Sequence, residues 1–274
     1  MAEGLHATRS FEAAPAAPFY RAVGDEVERF RAAWRGGLPI LLKGPTGCGK
    51  TRLVEAMAHE FGRPVYTVSC HEDITVGDLV GRYVLVNDET VWVDGPLTRA
   101  VTEGAICYLD EIVEARQDVT VVIHSIADHR RELYLERRGG AVLRARDGFG
   151  LVVSYNPGYQ SVLKDLKPST RQRMVSIDLG FPPPDVELQI VMGETGIDEA
   201  TARNLVRLAQ AARGLEGAGL KEFASTRTLV NAATLVRHGL SPVQAASSAI
   251  TGPLTDDPDL RQGLETVIDS YLSD

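Results

Sequence analysis

Gly44-Pro45-Thr46-Gly47-Cys48-Gly49-Lys50-Thr51 fits the phosphate-binding pattern G-x-x-x-x-G-K-[ST] at every fixed position. The run before it, Leu38-Pro39-Ile40-Leu41-Leu42-Lys43, reads as a short buried strand, and Arg52 to Phe61 reads as a helix. Strand, glycine loop and helix are the context this motif requires. The glycines allow turns that bring successive backbone N–H groups around a polyphosphate, and the helix N-terminus adds partial positive charge. In that arrangement Lys50 reaches the β- and γ-phosphates and the Thr51 hydroxyl binds Mg²⁺.

Outward from this loop, Val27, Phe30 and Trp34 fall at helical spacing and predict a helix before the first strand. Short runs rich in Val, Ile, Leu or Tyr follow at Pro64–Cys70, Ala105–Leu109, Leu151–Ser154 and Met174–Leu179, with helical patterns between them. That alternation predicts a parallel sheet covered by helices on both faces. Phe181-Pro182-Pro183-Pro184 breaks the pattern. Beyond it helices are expected at Val186–Glu194, Ala200–Arg213, Ser225–His238, Pro242–Thr251 and Leu260–Leu272, with Asp198, Ser241-Pro242 and Asp257-Pro258 at capping positions. The expected organisation is a loose Ala- and Pro-rich segment at 1–18, an α/β nucleotide domain at 19–182 and a small all-helical lid at 183–274. Two stretches interrupt the alternation as hairpins. One is Tyr83–Val86 with Thr90–Val93 around Asn87-Asp88-Glu89, and the other is Glu132–Glu136 with Ala141–Leu143 around Gly139-Gly140. Either they are ordinary surface hairpins or they do work for the domain that projects them.

The 274 residues are ample for a packed core in one or two domains. Hydrophobic and charged fractions of 44% and 24% are those of a soluble globular chain. A net charge of -8 argues against a protein that coats nucleic acid, which needs a basic face. Cys48, Cys70 and Cys107 show no metal-ligand spacing and read as buried free thiols of a reducing compartment. No charged-then-apolar leader opens the sequence and no apolar run approaches a membrane span. A cytoplasmic chain without membrane insertion is therefore expected.

Four further features carry chemistry. Ile106-Cys107-Tyr108-Leu109-Asp110-Glu111 is an apolar strand ending in two carboxylates. The first acid can hold the Mg²⁺ water shell and the second can polarise an attacking water. Like charges at the tip of a buried strand are costly unless a cation compensates them, and the paired acids favour hydrolysis over simple binding. Leu151–Ser154 runs into Tyr155-Asn156-Pro157, placing Asn156 at the sheet edge where ligands bind in open α/β sheets. Asn156 either reports on the γ-phosphate or opens a turn before proline. Ser169-Thr170-Arg171-Gln172-Arg173 is either a solvated basic turn or the source of an arginine offered to a neighbouring subunit's nucleotide. Spacing does not choose between its arginines. Arg227, after Ser225-Thr226, is either an ordinary helix-start arginine or a group that reaches the phosphates and couples domain closure to nucleotide state.

Taken in order, these residues resemble an AAA+ ATPase of the MoxR group, in the CbbQ/NirQ/NorQ branch, with the gas-vesicle protein GvpN as a more distant relative. The resemblance runs from about Phe19 onward. It is carried by Gly44–Thr51, Asp78-Leu79-Val80-Gly81-Arg82, Asp94-Gly95-Pro96-Leu97-Thr98, Cys107–Asp118, Ser154–Tyr159 and Lys167–Arg173. It implies a P-loop AAA+ domain with a five-stranded parallel sheet and a C-terminal helical lid, using ATP and Mg²⁺. It assigns Pro45, Thr46, Gly47, Cys48, Gly49, Lys50, Thr51 and Arg52 to the nucleotide and places Val23 and Gly24 near the adenine. Thr51 and Asp110 fall on the metal side, Glu111 completes the Walker B pair, Asn156 is sensor 1 and Arg227 is sensor 2. Arg173 is the implied finger, with Arg171 as the alternative. Met174 stands where the family has Phe, a change of similar apolar volume. The two hairpins resemble the helix-2 and pre-sensor-1 inserts. The resemblance further implies a hexameric ring, a partner with a von Willebrand factor A domain, and a client enzyme. That client is either Rubisco blocked by sugar phosphates or nitric oxide reductase at metal insertion. Two other classes stay open on the residues alone: a non-hydrolysing ATP-gated scaffold, and a DNA-handling ATPase that the acidic balance disfavours.

Overall fold

The computed structural model describes residues 17–157, 166–214 and 224–272. In chain order they begin with α1 (Glu26–Arg35), β1 (Ile40–Lys43), α2 (Lys50–Phe61) and β2 (Val65–Ser69). Next come α3 (Val76–Val80), β3 (Gly81–Val86), β4 (Glu89–Asp94), α4 (Pro96–Glu103) and β5 (Ile106–Asp110). After these follow α5 (Gln117–Ile126), β6 (Glu132–Leu135), β7 (Ala141–Arg144), β8 (Gly150–Tyr155), α6 (Pro168–Arg171) and β9 (Val175–Asp178). The remainder is helical: α7 (Pro184–Thr195), α8 (Glu199–Gly214), α9 (Thr226–Arg237), α10 (Pro242–Ala246), a π-helical turn (Ser247–Thr251), α11 (Gly252–Leu254) and α12 (Pro258–Leu272). The looseness expected of residues 1–18 falls almost wholly outside the described residues.

The five apolar runs form one parallel sheet in the order β2-β5-β8-β1-β9. Period-two alternation sorts their side chains between two cores. Ile40, Leu42, Ile106, Tyr108, Val152 and Ile177 pack with Phe30 of α1 and Leu53, Val54 and Met57 of α2. Leu41, Cys107, Leu109, Leu151 and Val153 pack on the other face with Leu97, Val101, Val119 and Ile123. Because both faces are covered, the strands read as continuous apolar runs rather than as alternating ones. Burial of each such Leu, Ile or Val side chain contributes about 2 kcal/mol. The same parity sets Tyr108 and Asp110 on the face of β5 that carries α2, and so on the face of the glycine loop. A third core, including Val191, Leu205, Leu229, Ile250 and Ile268, lies among the helices from α7 to α12.

Both expected hairpins form, each as a two-stranded antiparallel sheet apart from the central one. The first turns over two residues, Asn87 and Asp88, at φ 50° and 61°, rather than three. Glu89 is already paired with Val86. Asn and Asp tolerate the left-handed region, and a two-residue turn of this hand matches strand twist. Its side chains Tyr83, Leu85, Val91 and Val93 are exposed. The helix expected over Pro242–Thr251 starts with a Ser241–Gln244 capping box but widens into the π turn. Pro253, just beyond, has no N–H to give and its ring excludes ordinary helical geometry one turn back. The wider turn absorbs that conflict.

Candidate nucleotide site

The glycine loop sits between β1 and α2 and forms one wall of a cavity of about 880 Å³. Gly47 and Gly49 hold φ 75° and 101°, the left-handed region that glycine enters without penalty. Crowding adds a second demand at Gly47, where a Cβ would stand 2.5 Å from Ser225 Oγ, the N-cap of α9. Gly44 is equally constrained, because a Cβ there would meet the Leu179 carbonyl oxygen at 2.3 Å. The loop is thus shaped between β9 on one side and the start of α9 on the other. Gly47→Ala is expected to cost about 1–2 kcal/mol in backbone strain before the clash with Ser225 is counted. Its signature is a lowered Tm together with at least about tenfold weaker nucleotide binding, read by thermal melting and by titration with a fluorescent nucleotide.

Lys50 opens α2 and is buried. Its Nζ donates to the carbonyl oxygens of Gly44 at 2.7 Å and Pro45 at 3.1 Å, and stands 3.9 Å from Glu111 Oε1. The ammonium is therefore held in the mouth of the loop by two neutral carbonyls, from which a charged polyphosphate would win it. Asp110 and Glu111 close β5 on the adjoining wall. Glu111 itself lies at φ 54°, ψ 48°, a left-handed position that a non-glycine residue occupies at a cost and that turns its side chain away from the strand's path. Burial raises the Glu111 carboxyl above the ordinary carboxylate range and the charge of Asp110 adds to this. Lys50 and the Asn156 backbone N–H act in the opposite direction.

Beneath these acids lies a cluster that the sequence reading did not anticipate. Asp110 Oδ1 accepts from the Tyr108 hydroxyl at 2.6 Å and from Ser154 Oγ at 2.5 Å. Tyr108 OH lies 3.2 Å from Ser154 Oγ and 3.5 Å from Thr51 Oγ1, and the Glu111 backbone N–H donates to Ser154 at 3.2 Å. Cys70, nearby, has its thiol pushed up to about 12 by burial and by the charges of Asp110 and Glu111, so it is inert. Cys70 and Cys107 are buried free thiols as expected, whereas Cys48 is only partly buried on the cavity wall.

The opposite walls come from the segment before α1 and from the C-terminal helices. Phe19, Tyr20, Arg21 and Val23 line the cavity, as do Glu194 of α7 and Thr226, Arg227, Val230 and Asn231 of α9. The buried Glu26 carboxylate organises the first segment by accepting from the Val23 and Gly24 backbone N–H groups at 2.7 and 2.8 Å and from the Tyr20 hydroxyl at 3.0 Å. Arg52 is drawn across the cavity into a 3.1 Å contact with Glu194. Of the residues singled out from the sequence, Val23, Thr46–Arg52, Asp110, Glu111 and Arg227 line this one cavity. Gly24 and Pro45 adjoin it through the bonds just given. Asn156 is buried behind the loop, with Nδ2 3.3 Å from Thr46 Oγ1. Arg171 and Arg173 do not line the cavity. Arg171 donates to the Leu166 carbonyl at 2.9 Å, and the exposed Arg173 turns to the Ser169 carbonyl.

The cavity's chemistry fits a nucleotide with Mg²⁺. Gly47 and Gly49 hold the left-handed backbone by which such a loop turns its N–H groups toward a polyphosphate, and a Cβ at Gly47 would collide with Ser225 at the start of α9. Among the described residues no three His, Cys, Asp or Glu side chains gather into a closed metal set. Mg²⁺ does not need one, because it takes one or two protein oxygens and completes its shell with phosphate and water. The Thr51 hydroxyl and the Asp110 carboxylate are hard oxygen donors of that kind on the cavity wall.

The parallel sheet and its glycine loop define a P-loop AAA domain, and residues 39–174 match the AAA domain (dynein-related subfamily). Residues 187–271 match the CbbQ/NirQ/NorQ C-terminal family. The chain is 56% identical to CbbQ of Hydrogenophilus thermoluteolus, covering 93% of this chain and 96% of that protein. It is 55% identical to the denitrification regulatory protein NirQ of Pseudomonas aeruginosa (94% and 99% covered) and 57% identical to NorQ of Paracoccus denitrificans (90% and 92% covered). A mutant of Thermotoga maritima RuvB has the same fold, with a TM-score of 0.55 at 16% identity over 89% of this chain and 69% of that one. The chain belongs to the CbbQ/NirQ/NorQ family of AAA+ proteins. Nucleotide binding follows from the AAA domain, whose families are typically ATPases that oligomerise and act on client proteins. Among the described residues no helix is long and apolar enough to cross a membrane.

Proposed function

We propose that this protein is a Mg²⁺-dependent ATPase that works as a ring-shaped, hexameric motor upon a client enzyme, with a partner that carries a von Willebrand factor A domain. The observation that supports this best is the meeting of Lys50 and Thr51 with Asp110 and Glu111 on adjoining walls of a single cavity, with Arg227 on the wall opposite. In this reading Lys50 would exchange its loop carbonyls for the phosphates, and Thr51 and Asp110 would hold the waters of a Mg²⁺ ion and the ion itself, which when bound would supply neutralisation of phosphate charge. Glu111 takes the proton of the attacking water, and Asn156 senses the γ-phosphate behind Thr46. Arg227, beside Gly47 at the start of α9, moves with the C-terminal helices and couples their closure to nucleotide state. These helices form the lid, divided from the nucleotide domain near Pro183.

Arg173 and Arg171 stand away from their own chain's cavity, which is the arrangement expected of a finger supplied to a neighbour. Specific ATPase activity is therefore expected to rise with protein concentration as rings form, read by phosphate release alongside sedimentation. A monomer with concentration-independent turnover would remove the shared site. Tight nucleotide binding with negligible turnover, even with partner and client present, would instead leave an ATP-gated scaffold.

For the client we favour Rubisco, freed of inhibitory sugar phosphates. The identity to NirQ and NorQ, within one percentage point of that to CbbQ, supports activation of nitric oxide reductase as the second reading. Stimulation of the ATPase by one enzyme and not by the other separates them.

A further inference from the structure

Tyr108 fills a core position that Phe would fill as well: its ring lies among Phe30, Leu42, Leu53 and Val152. Its hydroxyl, however, is carried into the polar floor of the site. A buried hydroxyl is costly unless bonded, and this one reaches Asp110 Oδ1 at 2.6 Å, Ser154 Oγ at 3.2 Å and Thr51 Oγ1 at 3.5 Å. The phenol has a single hydrogen. The short bond to the carboxylate is the charge-assisted one, so the hydrogen goes there. Ser154 gives its own hydrogen to the same Oδ1 and accepts the Glu111 backbone N–H. The lone pairs left on the Tyr108 oxygen then face the Thr51 hydroxyl as an acceptor.

The consequence is a fixed polarity, from the Thr51 O–H through the Tyr108 O–H to Asp110 Oδ1. A hydroxyl that gives its oxygen to a cation must send its hydrogen elsewhere, and Tyr108 is the acceptor for it. Both protein hydrogen bonds fall on Oδ1, and among the described residues Oδ2 of Asp110 takes none. We propose that Tyr108 is a positioning residue for divalent-cation binding. It orients Thr51 and Asp110 together, and Ser154 secures the same carboxylate from β8. This rests on the reading of Thr51 and Asp110 as the metal-side pair.

The test is titration of the full chain with a fluorescent ATP analogue, in EDTA and across a Mg²⁺ series. Tyr108→Phe is expected to leave binding in EDTA within about twofold of the parent while raising the half-saturating Mg²⁺ about tenfold, the effect of one lost hydrogen bond to a charged group. Ser154→Ala is expected to shift Mg²⁺ in the same direction by about threefold, since Tyr108 still holds Oδ1. Tyr108→Phe with parental Mg²⁺ dependence, or with binding weakened equally in EDTA, overturns the proposal and returns the hydroxyl to a structural role. If Tyr108→Phe fails to fold by circular dichroism, Ser154→Ala decides, and its unchanged Mg²⁺ half-saturation overturns the proposal. A parent that binds no better with Mg²⁺ than in EDTA brings down the metal-side reading itself. A Mg²⁺-dependent parent matched by the variants brings down only the role of Tyr108 and Ser154.

Discussion

Glu111→Gln is expected to retain nucleotide binding and to lose turnover by about 10²- to 10⁴-fold, the range that a positioned general base supplies. The amide keeps the side chain's size and its left-handed backbone position at φ 54°, so the cavity wall is preserved. What it lacks is a carboxylate to accept the proton of the attacking water. Phosphate release and fluorescent-nucleotide titration on the same preparation separate the two effects. Turnover within about threefold of the parent would take Glu111 out of the chemistry. The site also dictates the acid side of the parent's pH profile. Burial lifts the Glu111 carboxyl above its ordinary range, more than Lys50 and the Asn156 N–H depress it. The base is active only when deprotonated. Turnover is therefore expected to fall on acidification at a pH above the usual glutamate value of about 4.3, and to be fully present above the raised value. In Glu111→Gln that limb should vanish from whatever residual rate remains.

The contrast between what could and could not be read in the sequence follows from the range of the interactions. The glycine loop, the strand ending in Asp110-Glu111 and the caps at Ser241 and Asp257 are local patterns, so their elements appear where expected. The five-stranded sheet was legible because parallel strands covered on both faces leave uninterrupted apolar runs. Tyr108 and Ser154 were not legible as site residues. Each sits inside an apolar strand, and only the β5–β8 pairing brings their hydroxyls to one carboxylate. Glu26 stands in the first turn of α1, a position where an acid complements the helix N-terminus without being buried. Its burial follows from the chain folding back so that Val23 and Gly24 donate to it. The contact of Arg52 with Glu194 joins residues 142 apart in sequence, and no spacing rule reaches that far. The π turn before Pro253 had a local signal in the proline, but periodicity alone carried the helix through it.

Arg173→Ala is expected to lower turnover by about 10³-fold or more, the lower end of what a finger arginine contributes to stabilising transition-state charge. The exposed Arg173 side chain donates to the Ser169 carbonyl of its own turn, so little stability should be lost with it. The informative measurement is complementation. Subunits carrying Arg173→Ala keep Glu111, and subunits carrying Glu111→Gln keep Arg173, so each is nearly inactive alone. Mixed into one ring, an Arg173→Ala subunit next to a Glu111→Gln subunit has a base of its own and a finger from its neighbour. At equal mixing about a quarter of the interfaces have this composition in a closed ring of identical contacts, and activity should recover towards that fraction. A finger acting within its own chain predicts no recovery at any ratio, because no single subunit then holds both groups. Repeating the mixture with Arg171→Ala assigns the role. Arg171 is tied to the Leu166 carbonyl at the base of the same turn, and its loss is expected to act by loosening the turn that presents Arg173. Recovery with Arg171→Ala but not with Arg173→Ala would reverse the assignment and place the finger two residues earlier.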